Sequence, residues 1–273
     1  MSRGSSPAPQ LLSWGSHRTW SWRKPIDYGF ARSLRSVPIS LHEAADAASC
    51  FPLVVVSDAE ALALHALLRA RADGYSPFVG PQGQWQAAWM PHRIAAWPFD
   101  LRRAGDGRMA LAIHADEHHI SSGPGALPIF SDSADRTLSV EAARAVAPLH
   151  MQADALPATA RAVCALDDAG LLKPLEDDPT VSIIDATGLS DMSEDMAMSL
   201  HRAKALGLAY AACVSLSHLS WMRRAEAVLS KAVRRPSAQG DTPSGRASSF
   251  LDAIASAQFS EQAFSLSSGA PET

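Results

Sequence analysis

The stretch DLRRAGDGRMALAIHA, residues 100–115, constrains the fold most, because it reads as two short strands joined by a tight turn. Asp106-Gly107 supplies the positive φ angles that a two-residue hairpin turn demands. With a period of two, Met109, Leu111 and Ile113 point to one face, and Ala110, Ala112, His114 and Asp116 to the other. The bulky face is expected to be the core side, which leaves the imidazole and the carboxylate on the opposite surface.

Other signals place this ribbon in an α+β fold, with a mixed, mainly antiparallel sheet from the N-terminal half packed against helices from the C-terminal half. PLVVVSD (52–58) is a β-branched run bounded by turn formers and is expected at the centre of a sheet. ALALHALLRA (61–70) is ambiguous, its composition favouring helix and its position between strand signals leaving a strand open. Ser40 and Glu43 form a capping box that opens a helix through Cys50, ended by Pro52. Later, VEAARAVAPLHM is expected to break at Pro148, and TARAVCALDDAGLL ends at Gly170. TVSIID (180–185) returns to strand; Asp191 and Glu194 make a second capping box for a helix to about Leu206, and residues 208–233 continue as one buried helix.

Four segments follow: a loosely ordered N-terminal arm (1–36), the α+β domain (37–235), a linker rich in Ser, Gly and Pro (236–249), and a short amphipathic C-terminal helix or tail (250–273). No apolar run approaches the roughly 18 residues of a membrane span, and no secretory leader is recognisable, so a cytoplasmic location is expected. A net charge of -4 gives no footprint for nucleic acid. Cys50, Cys164 and Cys213 are far apart without CxxC spacing, which reads as three reduced core thiols.

Two constellations carry candidate chemistry. His114-x-Asp116 puts two ligating groups about 6.6 Å apart on one strand face. That is the local half of a two-histidine, one-carboxylate triad for Fe(II), and His150, His201 and His218 are open as the distal histidine; the working metal set is His114, Asp116 and His201. His118 and His119 read as turn or surface residues. Trp85, Trp89, Trp97 and Phe99 with Arg93 form the second constellation, a candidate ligand-binding groove that Tyr75 and Phe78 extend, the alternative being core or lid packing. There is no GxSxG elbow, no GxGxxG after a strand and no Walker lysine. Cys50 beside Phe51 and His218 on an apolar helix read as structural residues.

Several landmarks occur in an order similar to that of the bacterial SapC family. They are Val37-Pro38-Ile39, Glu43, Ala47-Ala48 and Phe51-Pro52-Leu53-Val54; then Gly83, Trp85, Pro91 and Trp97-Pro98-Phe99; then Gly170-Leu171-Leu172 with Pro174; and finally Leu200, Gly207 and Ser215-Leu216. The resemblance spans about Val37 to Arg224. It implies an accessory role, since such proteins are often encoded near outer-membrane receptors and flavin-dependent halogenase-like enzymes. Where the family carries basic residues before its last aromatic element, this chain has Ala95 and Ala96, with Arg93 displaced by two. The expectation is a non-catalytic accessory or binding protein with a protein or peptide partner, no cofactor, and self-association open. The alternative is a non-haem iron oxygenase.

Overall fold

The computed structural model describes residues 9–57, 61–71, 73–115, 119–121, 123–132 and 135–234. In chain order the first elements are β1 (Gln10–Leu11), α1 (Trp14–His17), β2 (Ser21–Trp22), a 3-10 turn (Gly29–Ser33), β3 (Ser36–Pro38) and α2 (Ala44–Ala48). Then come β4 (Leu53–Ser57), β5 (Leu62–Leu67), α3 (His92–Ala95), β6 (Phe99–Arg103), β7 (Met109–Ile113) and β8 (Leu127–Pro128). The remainder is α4 (Val140–Asp168), β9 (Leu172–Leu175), β10 (Asp178–Ile184), α5 (Ala186–Ser190), α6 (Glu194–Arg202), α7 (Leu206–Ser215) and α8 (Ser217–Arg234).

The run PLVVVSD forms β4, in the middle of an antiparallel sheet of order β3-β5-β4-β10-β9. Leu53, Val54 and Val55 are all buried, so both faces of this strand are covered and an unbroken apolar run is what the position requires. β5 lies beside it as a strand, registered from Leu53↔Ala66 to Ser57↔Leu62. Ala and Leu favour helix locally, but β5 donates and accepts on both edges, to β4 and β3, and that pairing overrides propensity.

The second sheet is the expected ribbon with a third strand added, in the order β1-β7-β6. Its turn differs from the two-residue form: the Ala104 N–H donates to the Arg108 carbonyl (2.8 Å), the Gly107 N–H donates to the Ala104 carbonyl (2.9 Å), and of the pair only Gly107 has positive φ. That is a three-residue loop with the glycine in the left-handed position. The ribbon is also covered on both sides, Ala112 on one face and Ile113 on the other being fully buried. The arm supplies part of that cover. β1 pairs with β7, β2 pairs with β8, and Trp22 packs edge-on against Phe99, so residues 9–36 are woven into the fold rather than loosely docked.

α4 joins the two sheets. Its buried residues recur at helical spacing: Ala142, Val146 and Leu149 belong to the ribbon's core, with Trp22, Phe99, Ile113 and Ile129. Ala162, Val163 and Leu166 belong to the core of the larger sheet, with Phe51, Leu53, Leu67 and Met222. The helix runs unbroken through Pro148 and Pro157, contrary to the expected break. Burial of this nine-residue stripe against two cores outweighs the lost N–H groups, since a fully buried aliphatic side chain contributes about 1.5–3 kcal/mol and an interior proline costs about 3 kcal/mol. Gly170 follows with φ 67°, as its place after the helix required.

The C-terminal helices also divide differently. Ser193, not Asp191, caps α6, accepting from the Met196 N–H. The expected long helix is two, α7 and α8. At the end of α7, buried Ser215 donates its hydroxyl to the Ala212 carbonyl (2.7 Å) and accepts the Leu53 N–H (2.8 Å), tying the helix end to β4. On α8, buried Glu226 accepts from the N–H groups of Ala70 and Arg71, which fastens that helix to the chain beyond β5. No single helix among the described residues is long and apolar enough to cross a membrane.

Candidate functional site

A buried polar chain crosses the junction between the two cores. Its first part is the Ser40–Glu43 pair: the Ser40 N–H donates to Glu43 Oε2 (3.0 Å), which is one half of the expected capping box, but the Ser40 hydroxyl donates to the same carboxylate instead of capping, and the helix starts at Ala44, with Glu43 as N-cap, and ends at Ala48. Glu43 is 1% exposed, and its carboxylate also accepts from Gln152 Nε2 (2.9 Å) and the His92 N–H (3.1 Å). Gln152, from the middle of α4, accepts from Arg93 Nε at 3.1 Å. Arg93 in turn donates from Nη1 to Asp100 Oδ1 at 2.9 Å, and His114 Nε2 lies 3.4 Å from Asp100 Oδ2. Two carboxylates, one guanidinium and one carboxamide are thus satisfied largely by one another, Glu43 and Gln152 buried and Arg93 and Asp100 half-buried, as polar groups drawn out of water must be.

Charge in this chain is held by its neighbours. Burial alone would raise Asp100, but the His114 contact, the Arg93 charge and the Leu101 N–H hold its carboxyl below the ordinary carboxylate range. Arg93 is lowered, mainly by burial, with Asp100 opposing the shift.

Beside it runs a series of ring contacts. His114 stacks on Trp97 with centroids 4.0 Å apart, and Trp97 stacks on Phe30, also at 4.0 Å. From Phe30 the contacts continue through Tyr28 (6.2 Å) to Trp85 (6.1 Å), and from Trp85 to Phe78 (6.5 Å) and Trp221 (5.6 Å). His119 lies in a turn, as expected, but is buried rather than on the surface, and Trp97 Nε1 donates to its Nδ1 (3.3 Å).

A cavity of about 560 Å³ opens at the far end of the ring series. Three distant segments wall it: Ser49 and Cys50 after α2, Pro77 and Phe78 with Gln86, Ala87 and Ala88, and Ser217, His218 and Trp221 on the first turns of α8. Phe78, Trp221, Ala87 and Ala88 make its apolar side, and no charged side chain lines it among the described residues. His218 Nε2 donates to the Ala48 carbonyl (3.1 Å), which fixes the proton on that nitrogen because a carbonyl only accepts.

The five predicted binding residues therefore do not share one groove. Trp85 and Trp89 pack against the core of the larger sheet, where Trp85 Nε1 donates to the Trp89 carbonyl (2.9 Å) and Trp85 backs the cavity through Phe78. Trp97 is buried in the stack, Phe99 is fully buried in the ribbon's core, and Arg93 is committed to Asp100 and Gln152. For the metal set, His114 faces Asp100 across the ribbon instead of an open surface, His201 lies exposed on α6, and Asp116 is outside the described residues, as is His118. No group of three His, Cys, Asp or Glu side chains suited to a metal occurs among the described residues. The cysteines are free, but only partly as expected: Cys164 is exposed, and Cys50 and Cys213 are half-buried.

Sequence reasoning missed Asp100, Gln152, His92, Tyr28 and Phe30. One signal was available for Gln152, a lone amide at a core position of an apolar helical stripe.

A comparison with known protein families matches residues 12–222 to SapC. No curated protein and no solved structure matches the chain. The family landmarks fall on structural joints: Phe51-Pro52-Leu53-Val54 enters β4, Trp97-Pro98-Phe99 enters the ribbon, and Ser215-Leu216 separates α7 from α8. With that match extending over far more than half of its length, and from the arm to α8, the chain belongs to the SapC family.

Proposed function

We propose that the chain is a cytoplasmic, non-catalytic binding protein, an accessory component of a bacterial peptide-modifying or surface-assembly system that receives an apolar side chain of a protein or peptide partner. The cavity walled by Phe78, Trp221, Ala87 and Ala88 carries this reading. At about 560 Å³ it falls within the size of small-ligand sites, and its uncharged lining suits an apolar group better than a phosphate or carboxylate. A flavin-dependent halogenase-like enzyme is the partner class to which the family points. The Trp221 indole N–H resonance tests the reading, in a titration with blocked Gly-Phe-Gly and Gly-Asp-Gly tripeptides. The first is expected to shift it saturably at millimolar concentration and the second to leave it unmoved. Ala88→Trp, at the rim, is expected to abolish the response without unfolding the chain. No shift with either peptide would overturn the reading.

A further inference from the structure

We propose that the cavity prefers an aromatic side chain carrying one neutral hydrogen-bond donor, a phenol or an indole, over a purely apolar ring; this rests on the binding reading above and names the class of group that the site takes. The polar part of the wall decides it, through where its protons go. Ser49 Oγ donates to the Asp46 carbonyl (2.6 Å), and Ser217 Oγ donates to the Val214 carbonyl (2.9 Å). His218 Nε2 is committed to the Ala48 carbonyl, so its Nδ1 carries a lone pair and no proton. Cys50 Sγ lies 3.4 Å from Ser49 Oγ, and because the serine proton is already used, the thiol is the donor there.

The protons of all four side chains are thus spent inside the fold. What Ser49, Ser217 and His218 keep for the cavity is acceptor capacity alone: lone pairs on two hydroxyl oxygens and on one imidazole nitrogen. Of the other polar side chains in the lining, Gln86 offers a donor and an acceptor together, and the Trp221 N–H is buried. The wall is therefore short of donors. A purely apolar ring that displaces water leaves these acceptors unmet, whereas an O–H or N–H on the ring satisfies one of them. Phe78 and Trp221 supply aromatic faces for the ring itself. The donor is neutral because no carboxylate lines the cavity among the described residues, so an ammonium would leave water without a counter-charge.

The titration of the Trp221 N–H resonance tests this when it is extended to blocked Gly-Tyr-Gly, the same peptide as its tyrosine O-methyl ether, and Gly-Lys-Gly. The ether keeps the ring and the oxygen and lacks only the proton. Gly-Tyr-Gly is expected to bind about five- to tenfold more tightly than Gly-Phe-Gly or the ether, which is the worth of one hydrogen bond. That preference is expected to fall in His218→Phe or in the chain carrying both Ser49→Ala and Ser217→Ala, two exposed positions, with Gly-Phe-Gly bound as before and circular dichroism unchanged. Equal binding of Gly-Tyr-Gly and its ether would overturn the proposal, and so would a preference that survives in both variants. Tighter binding of Gly-Lys-Gly would overturn it too, assigning the polar wall to a cation. In each of these cases bound Gly-Phe-Gly leaves the apolar reading standing, whereas silence toward every peptide removes the cavity as a receptor and both readings with it.

Discussion

Asp100 is nearly removed from water yet kept ionised, because Arg93 and His114 face it from two elements. The pair is a liability if halved: an unpaired buried charge costs about 3–5 kcal/mol, whereas a well-packed apolar substitute for the whole pair is often neutral. Arg93→Met is therefore expected to destabilise by about that amount, and Arg93→Met with Asp100→Leu by distinctly less, as urea denaturation of the wild type, the two single variants Arg93→Met and Asp100→Leu, and the double variant would measure. The pH dependence has a definite sign. The folded pKa of Asp100 lies below its unfolded value, so its contribution is present above about pH 4 and is lost as pH falls through the folded pKa. The stability difference between the wild type and Asp100→Asn should shrink on acidification below about pH 4; a difference that stays constant to pH 2 would show that the ionised carboxylate contributes nothing to the junction.

Elements whose own residues decide their form are legible in the sequence; those decided by neighbours are not. β4 is of the first kind, since its β-branched run has no competing helical pattern. β5 is of the second, because LALHAL suits a helix until β3 and β4 take both of its edges. The arm hides its role for a similar reason: two-residue strands such as β1 and β2 have no periodicity to read, and Trp22 finds its place only when Phe99 arrives from β6. α4 shows propensity overruled within an element. Pro157 is exposed and withholds its N–H from the Ala153 carbonyl one turn back, so its ring contributes nothing visible to either core. Pro157→Ala is expected to raise stability by about 1–2 kcal/mol, the restored helical bond exceeding the lost restriction of the unfolded chain. A higher melting temperature would confirm this; a lower one would mean that α4 needs the proline to reach both cores at once.

Across the whole molecule, the junction explains why the candidate site was only half visible beforehand. Trp85, Trp89 and Trp97 stand out by their spacing, but Tyr28 and Phe30, which link Trp85 to Trp97, lie in the arm, and the cavity joins segments more than 100 residues apart. No local pattern encodes such an encounter. The same junction bears on how the two cores share stability. Leu149 sits in the ribbon's core and Leu166 in that of the larger sheet, both almost fully buried on one helix, with Gln152 between them holding Glu43 and Arg93. If α4 and that amide make the cores one cooperative unit, Leu149→Ala and Leu166→Ala should each cost about 2–5 kcal/mol and still leave a single transition, with circular dichroism and tryptophan fluorescence coinciding. Gln152→Leu removes the donor to Glu43 and the acceptor for Arg93 without shortening the helix, so it should separate the two probes along the denaturant axis. Split transitions in the wild type would show instead that the cores unfold independently, and that the polar chain between them fixes geometry without transmitting stability.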